Sequence, residues 1–309
     1  MKNSTKSNLA KISLFIAAII WGSSFLIVKN SMDVMQPHML LAFRFTIGAV
    51  LLAVIFYKRL LVINKDYLLR GICIGACLFL GYSLQTIGIT DTTPGKNAFL
   101  TAVYCVLVPF FFWAVDKKKP NIHQIAAALI TIVGIGFVSL NGGFSIRMGD
   151  SLTLISGIFY ALHVVSIAKL GRDRDPIVLT ILQFAFAGVF SWIITFLFED
   201  VPAVWTAGSI SSLLYLAVFA TAVAILLQNV GQKYTNPSAA SIILSLEAVF
   251  GVLFSVIFYH EKVTARLLIG FSLIFIAVIL SETKFSFLKI KRKDKQINEE
   301  IIDNEIYDA

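Results

Sequence analysis

Hydrophobic residues recur along this chain in ten long runs, separated by short polar breaks. Each run is 17–23 residues long, close to the ~20 residues that a helix needs to cross a hydrocarbon core about 30 Å thick. Strands of a membrane barrel would be about ten residues long with alternating polarity, and the runs show neither feature. The pattern predicts ten transmembrane helices, at residues 12–28, 39–57, 71–89, 98–115, 122–140, 151–168, 177–198, 209–231, 238–258 and 265–281.

The composition indicates that lipid is the solvent for most of the chain. Residues of the set AVILMFWYC make up 58% of the 309 positions, and charged residues only 14%. Soluble domains carry about 25% charged residues, so a globule of this composition could not cover its surface. The composition therefore excludes a soluble enzyme and a disordered chain, and predicts an all-α integral membrane protein.

The distribution of basic residues predicts the orientation. Of the 26 Lys and Arg, 20 fall in the segments on the side of the N-terminus and 5 in those on the other side, while Arg44 lies inside a run. Cytoplasmic loops carry the excess of Lys and Arg, so both termini are expected in the cytoplasm of a multi-pass protein of the cell membrane. This bias accounts for the net charge of +8 without a nucleic-acid partner.

The two halves of the chain match each other in register. At an offset of 139, Pro37 aligns with Pro176 and Trp21 with Tyr160. At an offset of 143, the Gln, Gly, Thr and Pro at 85, 88, 92 and 94 align with the same residue types at 228, 231, 235 and 237. The match predicts two five-helix repeats, 12–141 and 149–283, between a cytoplasmic tail at 1–11 and a disordered cytoplasmic tail at 289–309.

An odd number of spans per repeat makes the second repeat enter the membrane from the opposite side. Inverted repeats are typical of secondary transporters, whose halves exchange conformations and so open a central cavity to alternate sides. The arrangement favours a small-molecule substrate bound between the repeats near the bilayer midplane. It requires no cofactor.

Four stretches also resemble the EamA family of the drug/metabolite transporter superfamily. They are IWGSSF at 20–25, FRF at 43–45, TTPGKNAFLT at 92–101 continuing to LVP at 107–109, and LE at 246–247 with FYHEKV at 258–263. The likeness covers about residues 12–283. It implies ten helices in two EamA repeats, and export or exchange of small metabolites that include amino acids and drug-like compounds.

Two formal charges fall well inside the predicted spans, and a charge at the bilayer centre is expensive. Arg44 could bind a substrate carboxylate, hold carbonyl oxygens at a helix end, or extend toward the surface. Glu247 lies about nine residues, or ~14 Å, into its run, close to the midplane. If its carboxyl changes protonation as access switches sides, Glu247 couples protons to transport; otherwise it is a hydrogen-bonded structural group.

Uncharged side chains complete the candidate substrate or coupling site. Gln85 and Gln228 are related by the repeat and either serve two gates or link helices by hydrogen bonds. His163 either relays protons or bonds within the bundle. Rings at four positions are candidates for the walls of a cavity, namely Trp21, Tyr82, Tyr104 and Tyr160.

Two other functions are compatible with a helical membrane protein. An intramembrane serine enzyme could use Ser23 or Ser24 with His163, although no Gly follows the second Ser. A passive channel would not need two inverted repeats. The sequence contains no HExxH motif, and the segment from Gly88 to Asn97 lacks the spacing and the Ser or Thr of a P-loop. We therefore expect neither a metal nor a nucleotide site.

Overall fold

A computed structural model describes residues 2–117, 119–140, 146–200, 205–235 and 237–283. The described residues form helices joined by short turns, with a single antiparallel bridge between Leu140 and Ile146. The tail predicted at 289–309 lies outside the described residues. The helices are α1 (Lys2–Ser31), α2 (Pro37–Ile55), α3 (Lys65–Thr90), α4 (Pro94–Ala102), α5 (Tyr104–Asp116), α6 (Ile122–Ser139), α7 (Met148–Leu170), α8 (Pro176–Phe198), α9 (Ala207–Leu214), α10 (Ala224–Lys233), α11 (Pro237–Phe258) and α12 (Ala265–Thr283).

Eight helical runs in the described chain are long and apolar enough to cross a membrane. The predicted fourth and eighth spans are each such a run, although both are divided, α4 from α5 and α9 from α10. The last two predicted spans correspond to apolar helices that are shorter in their searched parts, Ile243–Phe258 and Ala265–Ser281. The all-helical membrane class is thus observed, while the count of ten spans stays a prediction.

Several helices begin at a proline, although Pro109 lies inside α5. Pro37, Pro94 and Pro176 begin α2, α4 and α8, where the missing N–H of proline has no helical partner to lose. The second predicted span is shifted by two residues toward the N-terminus, because α2 begins at Pro37 and ends at Ile55, and a 3₁₀ turn, Tyr57–Val62, follows. The first is longer, because α1 begins at Lys2 rather than near residue 12.

The predicted eighth span contains an irregularity that no sequence pattern indicates. Between α9 and α10 the segment Tyr215–Val223 is π-helical, so its hydrogen bonds skip one residue more than in an α-helix. The hydroxyl of Thr221 donates to the carbonyl of Leu216, five residues earlier, at 2.8 Å. Such segments occur mostly as single-turn bulges, often at functional sites.

The two halves of the chain interlock rather than forming separate domains. Helix α1 packs against α10 and α11, α3 against α7 and α8, α2 against α8, α4 against α11, and α6 against α12. Glycines allow close approaches between the halves at several helix contacts. A Cβ atom on Gly22 of α1, Gly88 of α3 or Gly134 of α6 would lie 2.4, 2.6 or 2.8 Å from an atom of α11, α7 or α12. Small residues at such contacts let membrane helices approach closely.

At one end of the bundle, carboxylates from each half bind helix N-termini of the other half. Glu199 accepts hydrogen bonds from the first-turn amides of α2, and Glu261 from a first-turn amide of α4 and the hydroxyl of Thr93. In the reverse direction, Asp91 accepts from the backbone amide of Gly149 in α7 at 3.0 Å. Negative charge is favourable at a helix N-terminus, so these contacts hold the halves together at this end.

Candidate functional site

A cavity of about 130 Å³ lies where eight helices of the two halves meet. Helices α1, α2, α3, α4 and α5 of the first half and α7, α10 and α11 of the second contribute its walls. The lining residues are Trp21, Ser24, Phe25, Val28, Arg44, Leu78, Tyr82, Gln85, Ile89, Asn97, Thr101, Tyr104, Tyr160, His163, Val164, Ile225, Gln228 and Glu247.

All nine side chains singled out from the sequence line this one cavity. Their roles in binding or coupling remain predictions, but their positions converge although the residues lie up to 226 positions apart. Asn97 and Thr101 line the same cavity but were not among the residues that the sequence indicated, and Ser24, which also lines it, was considered only as a nucleophile. Asn97 and Thr101 belong to the TTPGKNAFLT stretch, one of the four stretches that resemble the EamA family. Their place in that motif could have identified them as candidate site residues.

The cavity walls are built largely from equivalent positions of the two repeats. Applying the offsets of 139 and 143 to the lining residues relates twelve of the eighteen to one another. The six pairs are Trp21 with Tyr160, Ser24 with His163, Phe25 with Val164, Tyr82 with Ile225, Gln85 with Gln228, and Tyr104 with Glu247. A site that uses the same positions twice lies between the repeats, which is where an inverted-repeat transporter is expected to bind its substrate.

Arg44 is buried in the wall of the cavity and does not extend to the surface. Only 2% of the residue is exposed. Its Nε donates to the hydroxyl of Thr221 at 2.6 Å, and its Nη2 lies 3.4 Å from the hydroxyl of Tyr82 and 3.5 Å from the carbonyl oxygen of Ala220. The guanidinium also stands over the ring of Tyr82, 4.7 Å from its centroid. No hydrogen bond to a residue that the structure describes uses Nη1, which leaves two N–H donors.

The π-helical segment supplies an accessible backbone carbonyl to this region. The indole Nε1 of Trp21 donates to the carbonyl oxygen of Ala220 at 2.8 Å, the same oxygen that Arg44 approaches. In a regular α-helix that carbonyl would accept from the amide four residues later. The irregular backbone thus connects α1 and α2 of the first half to the eighth predicted span of the second.

Tyrosine rings form one side of the cavity. Tyr82 and Tyr160 meet edge to face with centroids 5.4 Å apart, and Tyr104 lies 6.2 Å from Tyr160. Beyond the lining, the ring of Phe45 packs edge to face on Tyr82 at 5.2 Å. Such contacts between rings hold the wall rigid and leave π faces available to a ligand.

Gln85 joins this wall to α4. Its Nε2 donates to the hydroxyl of Thr101 at 2.9 Å, and its Oε1 accepts from the hydroxyl of Tyr160 at 2.8 Å. Gln85 therefore links three helices by hydrogen bonds, which is one of the two roles considered for it from the sequence. Its repeat equivalent Gln228 also lines the cavity but makes no hydrogen bond to the residues that the structure describes. The two equivalent amides are thus in different environments.

His163 bonds within the bundle. Its Nε2 lies 2.7 Å from Oε1 of Gln183, which is the residue equivalent to Arg44 in the second repeat. Ser23 and Ser24 donate to the backbone carbonyls of Ile20 and Trp21. The described contacts include no bond between His163 and either serine, so the pairing that a serine enzyme needs is not formed.

Glu247 is buried in the cavity wall. Only 8% of the residue is exposed, and no donor among the described residues forms a hydrogen bond or an ion pair with its carboxyl. Arg44 lines the same cavity, yet no salt bridge joins the two. The described residues contain no cluster of three His, Cys, Asp or Glu that could hold a metal ion. The cavity therefore presents one cation and one carboxyl, each with unused hydrogen-bonding capacity.

Comparisons with known proteins agree with this architecture. The sequence model of the EamA-like transporter family matches residues 8–140 and again 147–283, so the two matches begin 139 and end 143 residues apart. These are the offsets of the internal repeat. A solved structure with 17% sequence identity superposes with a TM-score of 0.66 over 90% of this chain and 98% of its own, which shows a shared fold.

Similar proteins are named as transporters. An uncharacterized transporter of Archaeoglobus fulgidus is 37% identical over 88% of this chain and 85% of its own length. The uncharacterized transporter YvbV of Bacillus subtilis is 27% identical over 92% of this chain and 94% of its own. Because the family matches both halves and the archaeal relative is similar over most of its length, this multi-pass membrane protein belongs to the EamA-like transporter family.

Proposed function

We propose that the protein is a secondary active transporter that exports a small zwitterionic metabolite, such as an amino acid, by alternating access between two inverted repeats. The observation that carries the proposal is the cavity whose walls use equivalent positions of both repeats. A conformational change that exchanges the roles of the repeats alters both walls together. The same cavity can then open to either side of the membrane.

The chemistry of the cavity favours a substrate with both a carboxylate and an ammonium group. Arg44 is fixed by Thr221 and Tyr82, and its two remaining N–H donors can bind a carboxylate. The carboxyl of Glu247 has no partner among the described residues and can accept from an ammonium group. The tyrosine wall adds π faces, which bind cations and apolar side chains alike.

The size of the cavity is consistent with a small organic solute. A cavity that holds one water molecule has a volume of about 10–15 Å³ on the same scale, and this cavity has about 130 Å³. The space is therefore about ten times that for one water molecule. This is more than a bare inorganic ion requires.

Glu247 is the proposed coupling group. When the cavity faces the side of higher proton concentration, its carboxyl takes up a proton; when it faces the other side and binds the ammonium group of the substrate, the carboxyl ionises. Proton and substrate then compete for the same oxygen atoms. That competition couples inward proton movement to outward substrate movement without any cofactor.

Transport by purified protein in liposomes tests the proposal. We expect counterflow of a labelled amino acid in the wild type, and accumulation when a proton gradient is imposed. Glu247→Gln should lose proton-driven accumulation while retaining counterflow. Asp33→Asn, which removes an exposed carboxyl outside the cavity, is the matched control and should retain both.

The same assay separates the alternative functions. A passive channel would equilibrate solute at a rate that trapped internal substrate does not accelerate, and an enzyme would convert the solute chemically. Glu247→Gln with unchanged accumulation would refute the coupling role. Uptake into inverted membrane vesicles gives the direction, and the export proposal fails if substrate accumulates only in right-side-out vesicles.

A further inference from the structure

Asn97 is a fully buried residue in the cavity wall, and its hydrogen bonds are incomplete. It is 0% exposed and lies in the first turn of α4, where the TTPGKNAFLT stretch enters the helix. Its Nδ2 donates to the hydroxyl oxygen of Thr153 at 2.8 Å and lies 3.3 Å from the backbone carbonyl of Gln85. Its Oδ1 is buried and has no hydrogen-bond partner among the residues that the structure describes.

The orientation of this amide is fixed by its neighbours. The hydroxyl of Thr153 donates its single hydrogen to the backbone carbonyl of Gly149 at 2.7 Å, so its oxygen can only accept from Asn97. The second neighbour, the carbonyl of Gln85, is also an acceptor. Both therefore require the NH₂ group, and rotating the amide by half a turn would place Oδ1 against two acceptors. Oδ1 is consequently the one atom of the side chain that remains to be satisfied.

Buried acceptors without a donor are rare in native proteins, because such a group has lost its hydrogen bonds to water. Asn97 is one of the residues that line the cavity. Its Oδ1 has almost no accessible surface in this conformation, so a donor from a bound molecule reaches it only when the cavity wall moves locally. The repeat makes this feature unequal between the halves, since the position equivalent to Asn97 at an offset of 143 is Ala240. The acceptor therefore belongs to one repeat only and distinguishes the two walls of the cavity.

We propose that Asn97 forms an acceptor subsite that binds a hydrogen-bond donor of the substrate, either an N–H of its ammonium group or a hydroxyl. The inference rests on the proposed function and specifies what its substrate must carry. Ala98, the next residue, lies so close to Gly251 that a Cβ atom there would be 2.5 Å from the Cβ of Ala98. Gly251 is one helical turn from Glu247, about 6 Å along α11. Asn97 and Glu247 thus line the same cavity from two helices, α4 and α11, that pack against each other.

Ligand binding to the purified full-length chain in detergent tests this subsite. The probes are the L-amino acids, each compared with its N,N,N-trimethyl derivative, which keeps the positive charge and the carboxylate but has no N–H. Serine compared with alanine, and threonine with 2-aminobutyrate, test the hydroxyl as the donor. The measurement is the dissociation constant from the ligand-induced rise in melting temperature, since a ligand that binds the native state stabilises it.

In the wild type we expect at least one pair in which loss of the donor weakens binding by about tenfold or more, the effect of a single hydrogen bond. Asn97→Leu should reduce that discrimination by about tenfold, because Oδ1 is gone. Thr153→Val, which removes a partner of Nδ2 and leaves Oδ1 in place, is the matched control and should retain the discrimination. Asn97→Ala serves as the second variant if leucine prevents folding.

Each result has a defined meaning. Discrimination that is the same in the wild type, Asn97→Leu and Asn97→Ala overturns the subsite while leaving the transporter proposal intact. The subsite is also overturned if the wild type binds every donor-bearing ligand and its donor-free analogue equally well, because Oδ1 would then be satisfied by water alone. If no probe binds the wild type, the zwitterionic substrate of the proposed function is wrong, and the subsite fails with it.

Discussion

The bond between Arg44 and Thr221 offers a quantitative test of how the cavity is held together. Thr221→Val keeps the shape of the side chain and removes its hydroxyl. Thr221 is buried, with only 1% of the residue exposed. Two hydrogen bonds are lost, one from Nε of Arg44 at 2.6 Å and one to the carbonyl of Leu216 at 2.8 Å. The first involves a charged donor and leaves a buried N–H without a partner.

The expected magnitude follows from the type of each bond. A hydrogen bond to a charged group contributes about 1.5–3 kcal/mol, while side-chain bonds in a membrane protein average about 0.6 kcal/mol. Thr221→Val should therefore lower the free energy of unfolding by about 2–4 kcal/mol. The matched control is Thr131→Val on α6, because Thr131 is similarly buried, at 3% exposure, and donates only to the carbonyl of Ala127. Its loss should be about 0.6 kcal/mol.

Reversible unfolding of both variants in detergent, followed by circular dichroism, provides the measurement. Combining Thr221→Val with Arg44→Leu completes a double-mutant cycle, in which the coupling energy should be about 1.5–3 kcal/mol. Equal losses for the two valine variants, or a coupling energy near zero, would show that Arg44 does not stabilise the π-helical segment through this bond.

Two further predictions concern packing and topology. Gly149→Ala should destabilise the protein by about 1–3 kcal/mol or more, because the new Cβ would lie 2.4 Å from the backbone oxygen of Gly88. Gly136→Ala is the control and should be tolerated, because its nearest contact is at 3.5 Å. Equal melting temperatures for the two variants would contradict the close approach of Gly149 to Gly88. In a cysteine-free background, a cysteine at Lys65 should react with a membrane-impermeant thiol reagent only in inverted vesicles, and one at Asp33 only in right-side-out vesicles. Labelling of both from one side would refute the predicted orientation.

The positions of the helices could be read from the sequence because lipid imposes a simple rule. A backbone in hydrocarbon must satisfy its own hydrogen bonds, so each long apolar run becomes a helix, and its ends fall at prolines and charged breaks. Pro37, Pro94 and Pro176 each begin a helix where a break was expected. The exceptions are the division of the fourth span at Val103 and the π-helical segment, since both lie within apolar stretches that look uniform.

Much of the candidate site could be predicted from the sequence for a related reason. Polar and aromatic residues are costly or conspicuous in lipid, and the duplication places equivalent positions on both walls. Arg44, Glu247 and the glutamine pair could thus be selected by burial cost and register alone. Asn97 could not, because it lies next to the polar break that precedes α4 and looks like a residue of a loop.

The sequence by itself determined that this is a helical membrane protein with an internal repeat, because apolar run length and register are local properties of the chain. Only the tertiary structure decided which hydrogen bonds these side chains make. Arg44 meets Thr221 across 177 positions and Asn97 meets Thr153 across 56, and such distant partners follow from helix packing. The packing also fixed the orientation of the Asn97 amide, because both neighbours of its Nδ2 are acceptors.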